Sequence, residues 1–439
     1  MIINVWPIAN SIAARNIALV LGALLSLTLL FGYQKNWSSA NLLSPSLLLC
    51  LIGWVILLYI FIPVAPETQW NEITSTWLRV ALAILFGTGL GLCAAQFSTI
   101  KALALWGFLP LLIAQLAAYL YHSYLSGSLS TPYTPGIFIT KAGGTYFLMW
   151  PYLFLCAYTD FLFNRSDKNT GSVYVALKLS FCLLMFAAFF LAFYSLASLN
   201  GILIASICAA ILMSRIFFKI LFRGKHKIIG ALAVTAVIAI SGVAVSAYSK
   251  HDGNKFNNLL QDIKIGAQID RYTNWRNDTP EWVPAVPDGH PVNQSTYYRI
   301  ANLINGVRLI AEHPLGTGFT YLPYGYYMPK LYPGSVADHT HSGWVDFALG
   351  VGIPGLILCW LAIAWAIRFA IKLLREQKKV SLGENLWSYI VIWGLGGISL
   401  LWVVLEVSEK EYIEHLMFMI AFLAAGNAFV IDTKKAAII

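Results

Sequence analysis

Long uninterrupted apolar runs recur along this chain, and they restrict its fold more than any other feature. Hydrocarbon offers no hydrogen-bond partner, so a crossing backbone must satisfy its own N–H and C=O groups, which a helix of roughly 20 residues does. Runs of that length lie near residues 12–31, 42–64, 77–95, 102–121, 145–163, 173–196, 202–222, 228–248, 353–374, 387–405 and 413–431. The chain has 439 residues, of which 58% are hydrophobic and only 11% charged, and a soluble globular surface cannot be built from that composition. The expectation is an all-α polytopic membrane protein. Its 15 Trp and 22 Tyr suit two membrane interfaces, where amphipathic rings settle at headgroup level.

A net charge of +9 would suggest nucleic acid in a soluble chain. Here much of it stands in short loops beside apolar runs, where it sets orientation instead, so the expected surroundings are membrane lipids and no nucleic acid. Arg223-Gly-Lys225-His226-Lys227, Arg375-Glu376-Gln377-Lys378-Lys379 and Lys434-Lys435 mark the cytoplasmic side, and an even number of crossings separates each pair. The segment 249–337 and the acidic turn 406–414 then lie outside, as does the N-terminus. Residues 12–31 lack the basic flank and small-residue cleavage site of a signal peptide and read as a retained span. All six cysteines fall in apolar runs, which predicts neither a disulfide framework nor a cysteine metal site.

Three parts follow: an N-terminal helix bundle over 1–248, a large loop over 249–340, and a final segment of motif and spans over 341–439. The loop carries Trp275, Trp282, Tyr297, Tyr298, Phe319, Tyr321, Tyr324, Tyr326, Tyr327 and Tyr332, too many aromatics for a solvated linker. Ile300, Leu303, Ile304, Val307 and Ile310 recur at helical spacing, so 294–312 should be a helix on the outer face, stopped by Pro314 and the Gly316-x-Gly318 pair.

Four arginines of this loop, Arg271, Arg276, Arg299 and Arg308, stand among those aromatics. A guanidinium is a planar fork that stays charged and matches phosphate oxygens, which suits a lipid diphosphate; headgroup contact or a solvated face is the alternative for each. Arg299 and Arg308 are nine residues apart and cannot share one face of a straight helix, so at most one faces a site formed on it. Asp338-His339-Thr340-His341-Ser342 ends the loop. In an extended segment, both imidazoles project to one side. With Asp338 they could begin a zinc site, but no further ligands stand at a recognisable spacing. Imidazole titrates near neutral pH and Asp338 and Asp346 could orient it, which points to a base. Arg79, Asp160, Lys178, Arg215 and Arg368 lie mostly near span ends and read as structural. Glu406, Glu409, Glu411, Glu414 and His415 form the other outward polar cluster, which could face an acceptor but reads first as a solvated turn.

His341-Ser342, nine residues, then Gly352-x-x-Gly355 resembles the His-[Asn/Ser/Gln]-x9-Gly-x-x-[Gly/Thr/Tyr] pattern of bacterial O-antigen ligases. Arg299, followed by His313-Pro314-Leu315-Gly316-x-Gly318, is similar to the Arg…His-Pro-x-x-Gly-x-Gly segment of the wider family of O-antigen ligases, polymerases and protein O-oligosaccharyltransferases. The resemblance implies a GT-C-type glycosyltransferase of the bacterial inner membrane with 11–12 spans and its site on the periplasmic face. It would move O-antigen polysaccharide from undecaprenyl diphosphate to the lipid A-core acceptor, with no metal, cofactor or nucleotide sugar. The family's essential histidine falls on His341 and its loop arginine on Arg299; Arg271 and Arg308 are further diphosphate candidates from charge and position, with His339, Asp338 and Ser342 in support. The alternatives are an O-antigen polymerase and, from another class, a non-enzymatic transporter or lipid-binding permease. The latter would need repeated halves and ionisable residues near the midplane, and the sequence has no convincing internal repeat.

Overall fold

A computed structural model describes residues 6–8, 11–32, 42–107, 109–127, 136–138, 140–165, 172–223, 258–277, 284–285, 289, 291–376, 382–405 and 410–427, with 235, 239, 242–243 and 246 singly. The described residues are nearly all helical. In chain order the bundle comprises α1 (Ile12–Gly32), α2 (Leu43–Phe61), α3 (Pro66–Gln96), α4 (Ser98–Trp106), α5 (Leu109–Ser126), α6 (Lys141–Arg165), α7 (Ser172–Ser195) and α8 (Leu199–Arg223). A cap follows, with α9 (Leu259–Gly266), the 3-10 turn Asn274–Arg276, α10 (Gln294–Glu312) and α11 (Pro323–Leu331). The chain then re-enters the bundle as α12 (Gly343–Glu376), α13 (Leu382–Leu401) and α14 (Lys410–Gly426). Among the described residues, seven helices are long and apolar enough to cross a membrane. The expected polytopic all-α architecture is therefore the observed one. The run at 228–248 lies outside the described residues as a span, as do Glu406 and Glu409.

Helices whose long central stretches are buried all round form the centre of a bundle, and two here do. Every residue of α14 from Tyr412 to Gly426 is buried. Its neighbour α3 meets it through Gly87 and Gly91: a Cβ on Gly87 would sit 3.2 Å from Phe422 N, and one on Gly91 2.9 Å from Ala425 Cβ. Small residues four apart bring two helix backbones together, the usual way to pack in lipid, where burial of apolar surface drives nothing. Helix α6 is the second central element, with Tyr146, Trp150 and Tyr152 fully buried. Outside them, α1, α2 and α5 expose Leu25, Phe31, Ile60, Phe61, Ile113 and Tyr121, side chains that match hydrocarbon and would aggregate in water.

Three expectations need correction. The run at 102–121 is two helices, because the chain turns at Gly107 and Pro110 can begin a helix but not continue one. The run at 353–374 is part of a longer helix that begins at Gly343 and breaks at Gly352, where φ is +71°. Of the acidic turn, Glu414 and His415 are not solvated but fully buried, because α14 starts at Lys410 and carries both into its packed face. There Glu414 pairs with Arg79 and lies 3.6 Å from Arg15, which also reaches Glu411 at 3.0 Å, while His415 packs edge-on against Trp6.

Candidate active site

The helix expected at 294–312 is present with those bounds. Asn293 caps it through Oδ1, which accepts the Thr296 N–H at 3.0 Å. Its buried arc is anchored in the cap's own core: the Tyr297 hydroxyl donates to Tyr272 O at 2.8 Å, and burial pushes that phenol up to about 12. Deeper along the arc, Asn305 Nδ2 donates to the Tyr324 hydroxyl (3.1 Å), which in turn donates to Asn302 Oδ1 (3.2 Å). Gly306 closes the arc. A Cβ there would stand 2.6 Å from Thr340 Cγ2 and 2.7 Å from Val345 Cγ1, so glycine is what lets α10 lie directly on the His339–His341 loop.

At 100° per residue, Arg299 falls two turns before Gly306 on nearly the same line, whereas Arg308 falls half a turn round. The two thus flank opposite edges of the buried arc. Half-buried Arg299 borders the edge that meets Thr340. Arg308 is exposed on the other and forms a two-pronged pair with Asp270, at 2.9 and 2.8 Å, which lowers the pKa of that carboxyl. Arg271 is exposed; it approaches Gln268 Oε1 at 3.5 Å and lies over the Tyr272 ring. Arg276 lies over the Tyr332 ring, 4.7 Å from its centre.

The loop carrying the histidines is pinned on both sides of His341. Thr340 and Ser342 are buried, and the Thr340 Oγ1 accepts the Ser342 N–H (3.3 Å) while its hydroxyl donates to Ser342 O (3.2 Å). Asp346, in the first turn of α12, takes the Thr340 N–H on Oδ1 at 2.9 Å. Between these anchors His341 adopts φ +62°, a left-handed conformation uncommon for a side chain with a Cβ. It is this bend, not an extended strand, that brings the His339 and His341 rings together, 4.4 Å apart and edge to face. His339 Nδ1 also engages the Asp338 carboxylate. Among the described residues, no group of three His, Cys, Asp or Glu is placed to share an ion.

Below the loop, the two glycine motifs are one structure. Pro354 has no N–H, so the Gly350 carbonyl lacks its helical donor, and the break at Gly352 turns away the donor of Leu349. Gly318 N donates to Gly350 O (2.8 Å) and Thr317 N to Leu349 O (2.9 Å), while Ile353 N donates to Pro314 O (2.8 Å). Trp54 of α2 caps the Val351 carbonyl at 2.7 Å. The clasp is tied to the bundle by buried Glu72, whose Oε2 accepts Thr320 N and Oγ1 and whose Oε1 pairs with Lys410 at 3.0 Å. Glu72, Lys410 and Trp54 are too distant in sequence to be found there; Gly306 left one signal, an isolated glycine inside a helical pattern.

Fold and site together define a class: a multi-pass all-α membrane protein whose helical cap grips a broken helix beneath a strained histidine. Residues 180–360, a stretch shorter than half the chain, match the family model described as O-antigen ligase, consistent with a member of that family. The match contains Arg299, the clasp and His341 and supports a membrane enzyme of the O-antigen ligase or polymerase type. No curated protein matches the chain.

Proposed function

We propose that the protein is an O-antigen ligase of GT-C type in the bacterial inner membrane, with its site on the periplasmic face. It transfers O-antigen polysaccharide from undecaprenyl diphosphate to the lipid A-core oligosaccharide. The observation that carries this reading is His341 itself, held at φ +62° between two buried, hydrogen-bonded residues and beside the edge of α10 that bears Arg299. Backbone strain of about 1–3 kcal/mol persists where surrounding contacts impose it, and it clusters at functional sites.

In this reading His341 accepts the proton of the acceptor hydroxyl as that oxygen bonds to the anomeric carbon. The bond from the anomeric carbon to the diphosphate oxygen breaks, and undecaprenyl diphosphate leaves with the electron pair. Arg299 holds the diphosphate and stabilises the charge developing on it, a task a divalent cation performs in other transferases. Asp346 and Ser342 fix the loop, and His339 with Asp338 borders the imidazole.

The test is transfer from purified lipid-linked donor to lipid A-core in the presence of EDTA. A ligase yields full-length lipopolysaccharide, a polymerase longer donor ladders and a transporter neither product. Full activity of H341A, or loss of wild-type activity in EDTA, would sink the assignment.

A further inference from the structure

At the end of the bundle opposite the histidine loop, α6 and α8 frame a 470 Å³ groove lined by Asp160, Phe163, Asn164, Arg215, Ile216, Phe218 and Lys219. Asp160 is 2% exposed and fully engaged: Oδ2 accepts Arg215 Nε and Trp393 Nε1, each at 3.0 Å, and Oδ1 accepts Asn164 Nδ2 at 2.7 Å. Arg215 gives the carboxylate its Nε, which fixes one edge of the guanidinium, and its side chain lines the groove and is 56% exposed. One turn on, Lys219 reaches the Phe163 carbonyl near the end of α6 and brings a second cation to the same wall. Two cations thus stand on one wall of the groove, and a guanidinium fork with one edge engaged has a geometry that suits two phosphate oxygens on the other.

We propose that this groove binds the phosphate of an anionic phospholipid, with Arg215 and Lys219 as its ligands. The apolar surroundings select a lipid over a free anion: Phe163, Ile216 and Phe218 line the groove, and α8 continues outward as the exposed stripe Ile207, Ile211, Phe217 and Phe218, against which acyl chains lie. The site is independent of the transfer reaction.

Full-length protein is delipidated in detergent and offered phosphatidylglycerol or phosphatidylcholine of the same chains, with retention read by native mass spectrometry and thermal unfolding. Wild type should prefer phosphatidylglycerol by about thirtyfold, from two cations near the membrane surface. R215K/K219Q keeps a partner for Asp160, so it folds, and should lose most of that preference. An unchanged preference in that variant overturns the proposal, as does a preference lost instead in R368Q/K372Q on α12, or displacement of bound lipid by inorganic phosphate.

Discussion

Gly316 and Gly352 pass each other backbone to backbone: a Cβ on Gly316 would lie 2.7 Å from Gly350 O, and one on Gly352 2.8 Å from Leu315 Cα. Both have positive φ, +76° and +71°. The clasp needs two glycines for two reasons at once, and the histidine loop rests on it. Gly352→Ala should therefore cost about 1–3 kcal/mol from the positive-φ backbone alone, before any overlap. Thermal unfolding of the purified variant in detergent should show a clear drop, and a wild-type melting curve would refute the clasp.

Gly306→Val inserts carbon where Thr340 and Val345 already stand, so α10 must move off the histidine loop. Transfer should fall about tenfold to a hundredfold with a smaller loss of stability, since misplacement of about 1 Å is enough. Steady-state transfer and melting of the same preparation separate the two effects.

His341 allows a test of strain against function. His341→Gly should be more stable than His341→Ala by about 1–2 kcal/mol, because glycine accepts φ +62° without the Cβ penalty. Both variants should be inactive. Equal stability of the two would mean that the loop relaxes and stores no strain.

Arg299 and Arg308 should behave oppositely. Arg299→Ala removes most transfer activity, whereas Arg308→Ala leaves it near wild type, because Arg308 is held by Asp270 on the far edge of α10. The hydrogen bond from Arg308 depresses the Asp270 pKa, so this pair stabilises the cap above the usual carboxylate range and the contribution is lost as pH falls through the depressed folded value. An acid titration of unfolding should show that component in wild type and not in Arg308→Ala.

Glu414→Ala leaves Arg15 and Arg79 without their shared carboxylate at the top of the central helix. Removing one partner of a buried ion pair costs about 3–5 kcal/mol, so this variant should lose more stability than any surface change. Recovery of folded protein from membranes, compared with Glu411→Ala, would measure the difference.

The apolar runs alone determined that this chain is a bundle of membrane helices, because hydrocarbon leaves so few ways to satisfy a backbone. Periodicity and the Pro-Gly stop placed α10 at its bounds, and the nine-residue offset of Arg299 and Arg308 already kept them off one shared face. The polar junctions were not legible. Glu414 reads as solvated because its partners, Arg15 and Arg79, are hundreds of residues away, and a charge inside a span looks alike whether it snorkels or is paired. Nor could a pattern of His, Pro and Gly reveal that Pro354 frees a carbonyl that Gly318 satisfies, or that Thr340 and Asp346 bend His341 into a left-handed turn. Hydrophobic transfer is a property of each segment by itself and is written in its residues; hydrogen-bond satisfaction belongs to pairs, and only the tertiary structure chose them.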